Sequence, residues 1–572
     1  MHLIKSLVGI SSICFFSTVA LAQQSGDGAA ALQQLQRIQQ EQQAEQQRQF
    51  EQDRKSSKPA VKLQMPVEKS REVEAGGICR DIKDVHLRGV TLIKQKALQP
   101  ILARYGNRCL NISEIESLMA EVSGVYILEG YIASRVYLAE QDLSDGILVL
   151  LVIEGELEGV EILDGDADSI SLFNVFPGEI GEPLNLRDIE QAVDQINRLQ
   201  SNYVSMQVAP GERSGGSLLV FENEARKPWR VTPTYDNEGS PTTGKDQAGV
   251  SLSVDNALGW NDFLIATYRQ TTPYDSGERG SKLASMTYVV PFGYSTLAIN
   301  GSRSDYASPL DLPSGNKAYS SGKSENISVR LDRTVFRDRD SRWNLALAIA
   351  NKDSKNYIDR VLLDGSSRVL TVVDVDSAYT MPLMGGVITL NAGYALGVNW
   401  FGALEDPGSL PDFAPHAQFG KWKYGASYQR GLSLFNQPLF FSSYLNGQYA
   451  DDVLYGSEQI LIGGIYTVRG FSKETLSGDH GFYWRNDLSM TMGLPTIADI
   501  PFSMRPYLGI DYGLVTSIND NVPDGALSGM AIGAGFTLGS FFVDVSGSHS
   551  LKRQSGMKSE GLLTFIRMNF KF

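Results

Sequence analysis

Few residues have the type and spacing to do chemistry. In GGIYTVRGF, residues 463–471, Arg469 is the one charge among glycines and bulky residues, with Val468 before it and Gly470 and Phe471 after it. In FSMRPYLGIDYG, residues 502–513, Asp511 sits two residues from Gly509 and two from Gly513. A guanidinium and a carboxylate make a clamp, because two-pronged hydrogen bonding fixes geometry as well as adding energy. Sets suited to catalysis are missing. The chain has no HExxH, GxSxG or GxxxxGKS/T pattern, and beyond residue 22 its histidines are His86, His416, His480 and His549, scattered among unrelated elements. No Ser/His/acid set can be assembled from neighbouring segments. GAGFTLG at 533–539 lacks the βαβ surroundings of a nucleotide loop. The expectation is a protein that is not an enzyme and holds no metal or other cofactor.

Whether Arg469 and Asp511 can meet depends on the elements that carry them. From residue 229 the chain reads as strand after strand: 229–236, 247–255, 262–270, 282–290, 294–304, 326–335, 342–351, 367–378, 385–400, 419–431, 437–449, 481–492, 502–513, 528–539, 540–550 and 560–572. A tilted membrane-crossing strand needs roughly 9 to 11 residues, which these lengths match. Connectors after even-numbered strands are short, as in ALGWN, PFG, FRDRDS, MPLMG and GLSLFNQP. Those after odd-numbered strands are mostly longer: 305–325, 352–366, 401–418, 450–480 and 514–527. Short turns at one end and long loops at the other predict a membrane β-barrel of sixteen antiparallel strands. In the last strand Ile566, Met568, Phe570 and Phe572 share one face, and Arg567, Asn569 and Lys571 the other. A soluble β-sandwich would alternate too, but would not explain the loop asymmetry.

In the thirteenth strand Met504, Leu508, Ile510 and Tyr512 face outward, and Asp511 faces the lumen between Gly509 and Gly513. Glycines leave room for close approach. A loop folded inward from the longest connector, 450–480, could bring Arg469 to that carboxylate, with Gly470 letting the tip pack against the wall. The alternative is a solvated arginine on an extracellular loop, which contributes little.

The N-terminal part is different. Lys5, an apolar run from Leu7 to Leu21 and the small residues of Ala20-Leu21-Ala22 predict a secretory signal peptide over 1–22; a membrane anchor is the alternative. No later run approaches the length of a membrane-crossing helix. Net charge is −14, which argues against nucleic acid as a partner. With Cys14 lost to the signal, Cys79 and Cys109 remain, and an even count in an exported chain predicts one disulfide. A metal pair or reactive thiols are the rival, with no CxxC or His pair to support them. Residues 23–53 are rich in Gln and Glu and read as a helix polar nearly all round, or as low-complexity disorder. Residues 54–76 read as a linker. Residues 77–154 and 155–227 each read as a small α+β domain of the same element order. Their helices are NISEIESLMAEVSGVYILEG, capped by Asn111, and NLRDIEQAVDQINRLQ. Two such units suggest a tandem repeat.

VRGF in a long loop, GFYWRNDLS in the twelfth strand, GIDYG in the thirteenth and the terminal Phe572 together resemble the outer-membrane transporters of two-partner secretion, the TpsB family. GYIASRVYLAEQDLSDGILVLLVIEGELEGV and LNLRDIEQAVDQINRL are similar to that family's POTRA domains, and YDNEGSPTTG, leaving the first strand, fits too. The resemblance covers nearly the whole mature chain. It implies a periplasmic POTRA pair over 77–154 and 155–227, a barrel over 228–572 in the bacterial outer membrane, and a plug helix at 23–53. It implies Arg469 latched to Asp511, with Arg485 and Asp487 as supporting wall and Phe572 as an assembly signal. It also implies export, with or without activation, of an unfolded TpsA-type partner: a hemolysin, adhesin or contact-dependent toxin. Such a transporter is expected to be a monomer in outer-membrane lipid, placed there by the barrel assembly machinery. Partner contacts are expected near Arg187, Asn197 and Arg198. Gly509 departs from the family, where an aromatic is commoner. The alternative is a barrel-assembly insertase of the BamA/TamA kind; a passive porin would lack the POTRA domains.

Overall fold

The first unit is organised by its longest helix, Ile112–Leu128. Asn111 accepts a hydrogen bond from the Glu114 amide, and the Glu114 carboxylate accepts one from the Asn111 amide, both at 2.9 Å. This reciprocal cap satisfies two amide donors at the helix start and fixes its first turn. Ile115, Leu118, Val122 and Tyr126 form its buried stripe against a three-stranded sheet. In that sheet Ile147–Ile153 lies between Asp84–Arg88, parallel to it, and Arg135–Leu138, antiparallel. A second helix, Gln95–Tyr105, contains Pro100 and had no counterpart in the sequence reading. Cys79 and Cys109 are disulfide-bonded, with their Cα atoms 5.4 Å apart.

The computed structural model of the protein describes residues 79–163, 169–274, 278–311, 317–434, 436–519, 522 and 524–572. The expected signal peptide, plug helix and linker lie outside the described residues.

The second unit repeats the plan. Its helix, Leu186–Ile196, is capped by the Asn185 side chain on the Arg187 amide. Gly216–Asn223 lies between Glu156–Leu163, parallel, and Val204–Pro210, antiparallel. Each unit has its own apolar core.

Sixteen antiparallel strands then close a barrel. Closure pairs the last strand with the first through Arg567↔Asp236, Met568↔Tyr235 and Asn569↔Thr234. The Asn237 side chain extends the seam, accepting from the Ile566 amide at 2.7 Å. Alternation sorts the side chains as expected: Leu508 and Ile510 are exposed on the outer face while Asp511 is buried. Some strands run further than the membrane requires. Ser295–Asp311, Lys317–Arg337 and Arg342–Ile358 have 17, 21 and 17 residues. Much of the expected loops 305–325 and 352–366 is therefore strand. Stretches such as KAYSSGKSEN, 317–326, are polar on both faces, so they carry no apolar alternation although their backbone still pairs.

Candidate functional site: a loop folded into the barrel lumen

The connector between the eleventh strand, Gln437–Ala450, and the twelfth, His480–Met490, turns into the barrel. Its base is a two-stranded ribbon, Ile460–Ile462 with Leu476–Gly478. Beyond the ribbon, Gly463 and Gly464 adopt φ of 98° and 118°. Such backbone is strained for residues with a side chain, so the pair lets the chain turn sharply into the tip that carries Arg469.

Arg469 makes three hydrogen bonds to one carboxylate. Its amide and its Nε donate to Asp511 Oδ2 at 2.9 and 2.7 Å, and its Nη2 donates to Asp511 Oδ1 at 2.7 Å. Its Nη1 donates to Asp487 Oδ1 at 2.7 Å on the twelfth strand. Arg485, also on that strand, donates to the Ile465 carbonyl at 3.0 Å. Arg469 and Asp511 are 6% and 1% exposed, so the pair is shielded from water. Burial works against the charge on Arg469, but the Asp511 and Asp487 carboxylates more than offset it and raise the guanidinium pKa.

The wall glycines make the fit possible. A β-carbon on Gly509 would lie 2.1 Å from Arg469 Nη2, so the guanidinium occupies the space a side chain there would need. A β-carbon on Gly513 would lie 2.9 Å from Val468 Cγ2. Gly470, at φ 96°, lies against the backbone of His549. Val468 and Phe471 are buried with Ile460, Ile462, Val515 and Leu527 in one apolar cluster. The tip is further tied by Tyr466, whose hydroxyl donates to Glu238 at 3.3 Å. The Glu560 carboxylate also accepts the amides of Ser472, Lys473 and Glu474.

The sequence reading missed a second set of charges. Glu458, in the first limb of the loop, accepts from Lys352 Nζ at 2.6 Å and from Lys421 Nζ at 3.1 Å. A cavity of about 1050 Å³ lies in the lumen, lined by Lys352, Lys421, Glu458, Arg469, Arg485 and Asp487 among others. Alternation could have placed both lysines inside: Leu347 and Trp422 on the same strands are exposed outward at the opposite parity. Nothing in the loop sequence marks Glu458.

The residues expected near partner contacts, Arg187, Asn197 and Arg198, each make bonds within the chain. Arg187 pairs with Glu190 at 2.8 Å. The Asn197 side chain bonds both backbone groups of Val204. Arg198 donates to the Asn261 carbonyl at 3.3 Å, and burial draws its pKa down to about 10 despite Asp262 and Asp255 nearby. Their bonds lie within the second unit and at its junction with the barrel. That junction is extensive. Asn174 donates to the Trp260 and Pro291 carbonyls, Asn261 bonds both backbone groups of Ser171, and Arg337 pairs with Asp194 at 2.8 Å. Phe572 donates its amide to the Val231 carbonyl at 3.0 Å and stacks edge-on against Phe570, extending the seam.

Comparison with known proteins agrees with this architecture. Residues 215–536 match the family described as haemolysin secretion/activation protein ShlB/FhaC/HecB. The chain belongs to that family. Residues 81–155 match the ShlB-type POTRA domain and 156–210 a POTRA domain, so the two N-terminal units are the POTRA domains of this ShlB/FhaC/HecB member. The outer membrane transporter CdiB of Escherichia coli is 34% identical over 551 residues, 95% of this chain and 89% of that protein. The hemolysin transporter protein ShlB of Serratia marcescens is 32% identical over 456 residues, 80% of this chain and 79% of that protein. The solved structure of CdiB from Escherichia coli superimposes with a TM-score of 0.83 at 31% identity, covering 96% of this chain and 99% of that one. As a ShlB/FhaC/HecB family member, the protein is an outer-membrane barrel with its POTRA domains in the periplasm.

Proposed function

We propose that this protein exports one large, unfolded partner polypeptide from the periplasm through the barrel to the cell surface, and that the Arg469 tip gates the path. The observation that carries the reading is the lumen loop: ion pairs and a small apolar cluster hold it, not strand pairing with the wall, so it can leave without opening the barrel. Among the described residues, the POTRA edge strands Arg135–Leu138 and Val204–Pro210 each pair with a sheet neighbour on one side only. Strand addition at such edges would capture an extended chain without a sequence-specific pocket. The Gln-rich stretch 23–53 would act as a removable plug, its polar residues suiting the polar lumen. No bond is made or broken, so no catalytic step is assigned. The protein would work as a monomer in outer-membrane lipid, delivered there by the barrel assembly machinery.

Deleting the gene in its native host and comparing the proteins of the medium and the cell surface tests this. Loss of one large protein, restored by the intact gene, is the expected result. Broad depletion of outer-membrane proteins would instead mean an assembly factor and overturn the reading.

A further inference from the structure

The loop is held at two places of opposite polarity. At the tip the loop supplies the cation, Arg469, and the wall supplies the carboxylates Asp487 and Asp511 on the twelfth and thirteenth strands. At the base the loop supplies the carboxylate, Glu458. The wall supplies the cations: Lys352 on the seventh strand, Arg342–Ile358, and Lys421 on the tenth, Gly420–Leu434. Glu458 is fixed through its backbone too, its carbonyl accepting from Lys421 Nζ at 2.8 Å and Gln448 Nε2 at 3.0 Å. Asp479 ties the two limbs together, accepting from the Leu454 amide at 2.9 Å and the Gln459 side chain at 3.0 Å. Its other oxygen accepts from the Ile518 amide at 3.0 Å in the following loop. The ribbon Ile460–Ile462 with Leu476–Gly478 completes this collar. Between collar and tip lie Gly463 and Gly464, both at left-handed φ.

From this arrangement we infer that Lys352, Glu458 and Lys421 form a second anchor that keeps the base of the loop stationary while the tip, residues 463–475, moves. The inference rests on the gating role proposed for Arg469. The two anchors differ in kind. At the base, a two-lysine ion pair, backbone hydrogen bonds and a ribbon act together around Glu458. The tip turns on a glycine pair, its ion pairs to the wall all come from one side chain, and its backbone is held by two single carboxylates, Asp511 on Arg469 and Glu560 on residues 472–474. Opening would therefore clear only the part of the lumen the tip occupies and would return the tip to the same place. Glu458 is a positioning residue: it touches no cargo and acts through the loop it holds.

One wall position reports on both halves. A β-carbon on Gly513 would lie 3.3 Å from Ile462 Cβ, in the collar, and 2.9 Å from Val468 Cγ2, in the tip. The test uses the full-length protein carrying Gly513→Cys with either Ile462→Cys or Val468→Cys. Export of the partner is measured with the disulfide closed and again after reduction. Wild type under the same reductant is the reference, since Cys79–Cys109 is present throughout. Retention of the compact, heat-modifiable form on gels reports that each barrel has folded. The expected result is that closing the Ile462 cross-link leaves export at the level the same variant shows after reduction. With the Val468 cross-link closed export should be lost, and reduction should recover it. A block by the Ile462 cross-link as complete as that by Val468 would mean the base must move, overturning this inference but leaving the gating reading intact. Export through both closed cross-links would overturn the gating reading and this inference with it. A second measurement uses Glu458→Gln in planar lipid bilayers. Channel openings are expected to become several-fold more frequent, and closing the Ile462–Gly513 cross-link in that variant should quieten them. Openings as rare as in wild type would show the anchor idle and overturn the inference.

Discussion

Arg469 and Asp511 lie 42 residues apart in sequence and meet through three hydrogen bonds, one from the Arg469 backbone and two from its guanidinium. The backbone bond ties the path of the loop, not only its side chain, to the wall. Removing one member of a shielded ion pair leaves the other uncompensated and costs about 3–5 kcal/mol. Arg469→Ala is expected to leave the barrel folded, by heat-modifiability, yet to cut export strongly. Asp511→Ala should behave alike, although Asp487 retains one contact to the guanidinium. The double variant should be no worse than either single one. Additive defects would argue against direct pairing.

Gly529 offers a test that removes no charge. A β-carbon there would sit 1.7 Å from the Arg469 carbonyl oxygen, which is backbone and cannot swing aside. Gly529→Ala should therefore displace the tip and reduce export about as much as Arg469→Ala, with normal barrel folding. Export at the wild-type level would show that the tip tolerates displacement, and that its seating does not matter.

Much of this was legible because alternation is a local signal. The strands at 229–236 and 247–255 coincide with Trp229–Asp236 and Gln247–Asp255, since each sets apolar residues toward lipid at every second position. Asp511 could be placed in the lumen by the same parity, and a loop arginine then had one obvious carboxylate to seek. Where alternation stops carrying information the reading stopped too. Residues 317–326 pair as strand with polar side chains on both faces. The helix Gln95–Tyr105 was obscured by Pro100. Glu458 and Arg198 depend on which distant surfaces pack together, and no local pattern encodes that. Polarity alone cannot distinguish an open helix face from a junction, so the contact of Arg198 with the Asn261 carbonyl has no local signal.

Glu458 gives the loop a defined response to acid. Burial would raise its pKa, but Lys352 and Lys421 override burial and hold it down to about 2 from an ordinary 4.5. A carboxyl depressed on folding contributes stability that is fully present above its ordinary pKa and is lost as pH falls toward the folded value. The base of the loop should therefore be unchanged from neutral pH down to about 4.5 and loosen between there and about 2. Channel openings recorded across that range should rise in wild type. In Glu458→Gln they should already be high at neutral pH and change less. A wild-type rise well above the ordinary carboxyl range would assign the response to another group.

The disulfide Cys79–Cys109 spans 30 residues. Closing a loop of that size contributes about 3 to 4 kcal/mol on the chain-entropy view. A Cys79→Ser/Cys109→Ser variant should keep a folded barrel while its first POTRA domain becomes sensitive to protease at lower urea. Unchanged sensitivity would show that the domain core alone sets its stability.

The hinge between the second POTRA domain and the barrel rests on asparagines. Asn261 bonds the Ser171 amide and carbonyl and also reaches the Asn174 side chain, while Asn174 bonds two turns of the barrel rim. Asn261→Ala would orphan buried partners at about 1–3 kcal/mol each. Arg337 with Asp194, and the Ser201 amide donating to Asp255, would remain as further ties. The domain should then sample a wider range of angles. Spin labels on the second POTRA domain and on a barrel turn should change from a narrow distance distribution to a broad one. If POTRA orientation aims the captured chain at the barrel mouth, export should fall in proportion to that broadening. A broadened distribution with full export would separate capture from aim, and would leave the junction a structural brace only.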